Sequence, residues 1–118
     1  MDNKTNSLEE GRVDTINEYI KRRVLFKADQ IMSYLSHDVV VIDQNKNVYD
    51  TYEKIRDYYN KSVPGTFEFE DSEFEGGDVY TLEFKNTVLG IWITKLKAFF
   101  EFGPKSTLIK KITVVQLN

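Results

Sequence analysis

The sequence predicts an α+β domain with its helices first and its sheet after them, and three observations carry that prediction. Apolar residues recur at helical three-to-four spacing in the first half, at Val13, Ile16, Ile20 and Val24 and again at Ile31, Met32 and Leu35. A β-branched run, Val39-Val40-Val41-Ile42, interrupts those helices with a strand over Asp38–Asp43. From Phe67 onward, apolar and polar residues alternate as they do along half-buried strands.

Residues 1–6 are polar and are expected to form a disordered tail before a single domain over 7–118. Ser7-Leu8-Glu9-Glu10 has the spacing of a capping box, in which side chains tie off the free backbone donors of a helix start. Tyr19 shares the apolar stripe of this first helix, and Lys21-Arg22-Arg23 falls where its wet face is expected. Phe26-Lys27-Ala28 ends that helix, and Asp29 is the expected N-cap of the second. After the Asp38–Asp43 strand, Gln44-Asn45-Lys46-Asn47 turns the chain back through Val48 and Tyr49. Asp50, three residues before Glu53, is the expected cap of a third helix carrying Tyr52, Ile55 and Tyr59 inward.

Pro64-Gly65 separates the helices from the long strands. Phe67 and Phe69 share one parity and Phe74 the other, which predicts a bulge near Asp71-Ser72; bulges bend strands. Gly76-Gly77-Asp78 turns into a strand with Tyr80, Leu82 and Phe84 on one face. The next strand repeats that face with Trp92, Leu96, Ala98, Phe100 and Phe102, and Gly103-Pro104 ends it before a last strand over Thr107–Leu117. The opposite parity is also apolar in part, at Ile91, Ile93 and Phe99 and then Ile109, Thr113, Val115 and Leu117. A sheet face left in water does not collect such groups, so a homodimer through this outer face, centred on Ile93, Phe99 and Val115, is expected.

Composition excludes several functions. The chain has 118 residues, no cysteine and one histidine, His37, which rules out disulfides, thiolate metal sites and cysteine nucleophiles and makes a multi-histidine metal centre impossible within one chain. His37 is expected at the surface, no cofactor is called for, and no metal site is. Net charge is −3, and Glu68, Glu70, Asp71, Glu73, Glu75 and Asp78 form one acidic stretch without an intervening base, so nucleic acid is not an expected partner. That stretch suits a solvated sheet face or edge, where charge discourages unwanted strand pairing. With no secretory core in Met1–Asn6 and no run of about 18 apolar residues, no membrane association is expected and the expected location is cytoplasmic.

The order of these segments, with an acid at the end of the first strand, resembles the nuclear transport factor 2-like (SnoaL-like) superfamily over nearly the whole chain. The resemblance implies a cone-shaped, strongly curved, mainly antiparallel sheet wrapped around three helices of the N-terminal half, a cystatin-like α+β roll whose mouth holds apolar small molecules. Where many relatives carry a glycine before the third helix, this chain has Asp50-Thr51. Phe100-Glu101-Phe102-Gly103 spells the FxFG pattern that nuclear transport factor 2 recognises in its partners, and strand alternation ending in a turn glycine produces it unaided.

Tyr19-Ile20 in the first helix and Ile42-Asp43 at the strand end are similar to bacterial ketosteroid isomerases of that superfamily. The similarity implies Asp43 as a proton-shuttling base and Tyr19 as hydrogen-bond donor to an enolate oxygen, with the two within reach of each other directly or through one water. The isomerases' second oxyanion donor aligns with Ala98, which cannot donate. The alternative assignment makes Tyr19 a core aromatic and Asp43 a turn former. The Asp-Arg-Asp relay of related epoxide hydrolases has no arginine in the strand half to complete it, and His37 is not at the spacing of the dehydratases' histidine. Trp92, Phe100, Tyr80, Tyr58 and Tyr59 are the expected ligand-binding residues, as aromatic walls and hydroxyl donors. Two functions follow from these residues: a non-catalytic ligand pocket or dimerisation module, or an isomerase- or dehydratase-type enzyme acting next to a carbonyl.

Overall fold

The computed structural model describes residues 3–24, 28–61 and 66–118, with side chains for all of these except residues 3–6 and Trp92. Helix α1 (Asn3–Val24) buries Ile16 and Tyr19 and packs Val13 and Ile20 against the same core. It begins a turn before Ser7, so residues 3–6 are helical and the Ser7–Glu10 spacing lies inside the helix. The expected stop at Phe26-Lys27 and the break at Pro64-Gly65 lie outside the described residues.

The second helical segment is shorter than its apolar stripe suggested. One α-turn, α2 (Ala28–Ile31), tightens into a 3-10 turn over Met32–Tyr34, and the backbone is extended by Leu35 (φ −110°, ψ 144°). Leu35 therefore opens strand β1 (Leu35–Ile42), where it pairs with Ile109. Either assignment buries it; tertiary pairing decides between them. His37 is exposed on β1. A turn over Asp43–Asn47, with Lys46 at φ 66°, folds β2 (Val48–Tyr49) back on β1.

Helix α3 (Tyr52–Asn60) is capped by Thr51, whose Oγ1 accepts from the Lys54 N–H at 3.2 Å, so the cap falls one residue after Asp50. Asp50 instead meets Lys54 Nζ at 3.3 Å on the exposed side. Ile55 and Tyr59 are the buried face, as their spacing predicted, but Tyr52 in the first turn is exposed instead of continuing it.

The remaining strands are β3 (Thr66–Phe69), β4 (Glu73–Gly76), β5 (Val79–Val88), β6 (Trp92–Phe102) and β7 (Ile109–Gln116). They form one sheet in the order β2-β1-β7-β6-β5-β3, with β4 also on β5, and every pairing is antiparallel except β1 with β7. Between Phe69↔Phe84 and Glu73↔Thr81 the register slips by one residue, which is the bulge expected near Asp71-Ser72. The acidic stretch consequently lies on the sheet's edge strands, with Glu68, Glu70, Asp71, Glu73 and Glu75 exposed, where it opposes the addition of a further strand.

Tyr80, Leu82, Leu96, Ala98, Phe100 and Phe102 are on the buried inner face, as the alternation predicted, and Ile112 joins them from β7. Ile109 corrects one assignment. A second slip, between Glu101↔Lys111 and Phe102↔Ile109, turns Ile109 into the core, where it is 0% exposed, instead of onto the outer face with Thr113 and Val115.

Arg12 locks α1 onto the sheet and was not singled out by any motif. It is 2% exposed. Its Nε donates to the Ser106 carbonyl at 2.9 Å, and its Nη2 donates to Asp78 Oδ1 at 2.9 Å and to the Gly103 carbonyl at 3.1 Å. The guanidinium also stands 5.1 Å from the Phe102 ring centroid. The preceding residue, Gly11, lets the helix approach the loop before β7 closely, since a Cβ there would meet Thr107 Cγ2 at 3.0 Å. No described helix is long and apolar enough to cross a membrane.

Candidate functional site

The curved sheet leaves a cavity of about 890 Å³ between its inner face and the helices α1 and α3. Leu82, Leu96, Ala98, Phe100 and Val114 give it an apolar wall; Tyr19 and Arg23 enter from α1, Tyr58 from α3, and Asp43 and Tyr49 from the β1–β2 turn. The two residues that carry the isomerase similarity, Tyr19 and Asp43, thus line one cavity. The direct bond between them is absent, and each has taken another partner. The Tyr19 hydroxyl is 2.8 Å from the Tyr59 hydroxyl, either of which can be the donor.

Asp43, 6% exposed, is held by its own turn. Its Oδ1 accepts from the N–H of Asn45 at 2.9 Å and of Asn47 at 3.0 Å; its Oδ2 accepts from Asn47 Nδ2 at 3.2 Å and from the Tyr49 hydroxyl at 2.9 Å. Aspartate at the start of a turn is favoured for this capture of the following N–H groups, and a two-residue hairpin strand brings the tyrosine back over it. Burial pushes the carboxyl up, but the donors from Asn47, Tyr49 and Asn45 outweigh it and hold Asp43 below the ordinary carboxylate value.

The phenols move the other way. Burial pushes Tyr19 up to about 12, against the opposing effect of the Arg23 charge and the Tyr59 hydrogen bond. Tyr59 is raised well above its ordinary value by burial and by Tyr19 beside it, and Tyr58 is raised by burial, with Arg23 opposing. All three therefore stay neutral donors at physiological pH.

Of the other expected ligand residues, Phe100 and Tyr58 are on the cavity wall. Tyr59 stands behind Tyr19, and Tyr80 packs in the core against Phe74 and Phe102, at 5.2 Å and 5.6 Å between ring centroids. The Trp92 side chain lies outside the described residues. Ala98, the position of the missing second oxyanion donor, is buried on the wall and apolar.

Arg23, Tyr49 and Asn86 line the cavity without having been foreseen. For Arg23 the signal was present: Ile16, Tyr19 and Arg23 follow one helical stripe, and only the basic triplet around it suggested a wet face. That triplet divides. Lys21 and Arg22 stay outside and pair with Glu18, whereas Arg23 turns inward.

No protein-family model matches this chain, and no curated protein does. Solved structures do. A protein from Sphaerobacter thermophilus superposes with a TM-score of 0.79 at 17% identity, covering 90% of this chain and 95% of its own. An NTF-2-like protein of unknown function from Burkholderia xenovorans LB400 gives 0.77 at 14% identity, covering 93% and 85%. The epoxide hydrolase/cyclase-like enzyme SalBIII, described for pyran ring formation in the polyether salinomycin, gives 0.77 at 15% identity, covering 92% of each chain. At such identities the likeness is one of fold, and it coincides with the segment order, the bulged antiparallel sheet and the cavity described above: the chain has the nuclear transport factor 2-like, SnoaL-like fold.

Proposed function

We propose that this protein binds a small molecule in the cavity between sheet and helices, and that it does so without catalysis. The observation that carries this is the state of Asp43. An acid that accepts four hydrogen bonds and is held below its ordinary value is a weak base, and each bond would have to weaken for it to take a proton from carbon. The cavity itself has the character of a binding site: its volume falls within the range of about 300–1,000 Å³ common for ligand pockets, with an apolar wall and a few convergent polar groups.

The enzymatic alternative keeps one supporting observation. Within the Tyr19–Tyr59 pair one hydroxyl donates to the other, which leaves the accepting phenol's proton available to a ligand oxygen, as an oxyanion donor requires. Asp43→Asn separates the two. If proton exchange into simple enolisable ketones occurs and disappears in Asp43→Asn, catalysis with Asp43 as base and Tyr19 as donor is the function; if no exchange occurs while a neutral apolar dye still enters the cavity, binding is.

A second copy of the chain is the protein partner we propose, seated on the outer face of β6 and β7. Ile93 and Val115 are 55% and 37% exposed there, Phe99 is half-buried on the same face opposite Thr113, and Lys95, Lys97 and Glu101 supply charges of both signs around them.

A further inference from the structure

The chemical class of the ligand follows from one side chain in the cavity wall. Arg23 leaves the last turn of α1, and its guanidinium carbon stands 5.1 Å from the ring centroid of Tyr59, 5.7 Å from that of Phe67 and 5.8 Å from that of Tyr58. Its Nη1 is fully buried and has no hydrogen-bond partner among the described residues, while the Tyr19 and Tyr58 hydroxyls meet other parts of the guanidinium. A donor on a permanent cation, removed from solvent and unmet, is a costly arrangement that an incoming acceptor relieves. The cavity's buried carboxylate does not serve, because Asp43 is engaged by Asn45, Asn47 and Tyr49, and among the described residues Arg23 forms no ion pair. Asn86, on the inner face of β5 and also on the cavity wall, has a buried Oδ1 without a donor. Two polar groups of opposite hydrogen-bonding need therefore face one apolar chamber.

We propose that the ligand is a largely apolar organic carboxylate whose anion is received by Arg23, with its hydrocarbon body against Leu82, Leu96, Ala98 and Val114. A planar guanidinium with an unpartnered Nη1 suits a carboxylate oxygen, and aromatic neighbours hold its plane in place while supplying no competing anion. The Asn86 carbonyl oxygen selects a hydroxyl or N–H on the body of the molecule. This proposal rests on the cavity being a small-molecule site.

The test uses an isosteric pair, 2-naphthoate and 2-naphthamide, titrated calorimetrically into the full chain, with the neutral dye N-phenyl-1-naphthylamine reporting on the cavity itself. The carboxylate is expected to bind about ten-fold to a hundred-fold more tightly than the amide, the range a charge-assisted hydrogen bond supplies. Arg23→Gln is expected to abolish that preference by weakening naphthoate alone, and Arg23→Lys, which keeps the charge, to retain part of it. Equal affinities in the wild-type protein, a comparison independent of any variant's folding, overturn the carboxylate assignment while dye entry leaves the cavity reading intact. So does a preference that survives Arg23→Gln, which would make Arg23 a side chain held only by its aromatic neighbours. If neither the dye nor either naphthalene enters, the cavity reading and this proposal fall together.

Discussion

Asp43 and Tyr19 share one cavity with opposite electrostatic histories, and each should announce itself in a pH titration of stability. Asp43 is lowered in the folded protein, so its contribution is present above the ordinary carboxylate range near 3.8 and is lost as pH falls through its folded value. Asp43→Ala is expected to cost about 1.5–3 kcal/mol in urea unfolding at neutral pH, the range for hydrogen bonds to a charged group, and to flatten that acid limb. Tyr19 is raised to about 12. Its contribution is full below the ordinary phenol value of 10 and is lost as pH climbs through 12, because the unfolded chain gives up the proton first. Absorbance titration of the phenolates should accordingly find Tyr19 among the last to ionise, and Tyr19→Phe should reduce the alkaline loss of stability. Both residues were legible in the sequence from their place on a stripe and at a strand end. The turn-forming reading of Asp43 already pointed to the backbone N–H groups that hold it, whereas the partner of Tyr19, a hydroxyl on a helix 40 residues away, has no record in the spacing along the chain.

The elements were legible wherever one period dominated. Ile55 and Tyr59 on α3 and the Tyr80, Leu82, Phe100 face of β5 and β6 fall as their periodicity requires, because burial on one face leaves register little freedom. Leu35 and Ile109 went astray because strand pairing, not local propensity, fixes them: Leu35 opens β1 against β7, and the slip between β6 and β7 turns Ile109 inward. Arg12 belongs to this scale as well. It fastens α1 to the loop after β6 through two carbonyls and to the β4–β5 turn through Asp78, and Arg12→Met is expected to cost about 2–4 kcal/mol in chemical denaturation, near the lower limit because Asp78 keeps access to water. An unchanged midpoint would show that the Phe102 contact and the packing of Gly11 on Thr107 hold the helix without it.

For the whole molecule, the proposed dimer gives a direct expectation. Light scattering at micromolar concentration should return twice the mass of the 13.8 kDa chain, and Phe99→Glu should return the monomer with its circular dichroism unchanged. A wild-type monomer that persists on concentration removes the outer sheet face as a partner site. That face was half-legible: Ile93 and Val115 are exposed as their parity predicted, while the second slip removes Ile109 from it.

The parallel union of β1 and β7 also bears on how the molecule comes into being. The inner wall is continuous from Val41 to Ile112 only when the last strand lies beside the first long one, so the chamber is the final thing the chain acquires. A chain emerging from the ribosome has its helices and the β5–β6 hairpin long before it has a place for a ligand, and the late, distant closure belongs to the slow end of folding. Until β7 docks, β6 offers an unpaired edge with Leu96, Ala98 and Phe100 on one face and Lys95, Lys97 and Glu101 as the charges that guard it. A small molecule bound as proposed is expected to act only after that step and, by contacting both β1 and β7, to slow the chain's return to the open-edged state.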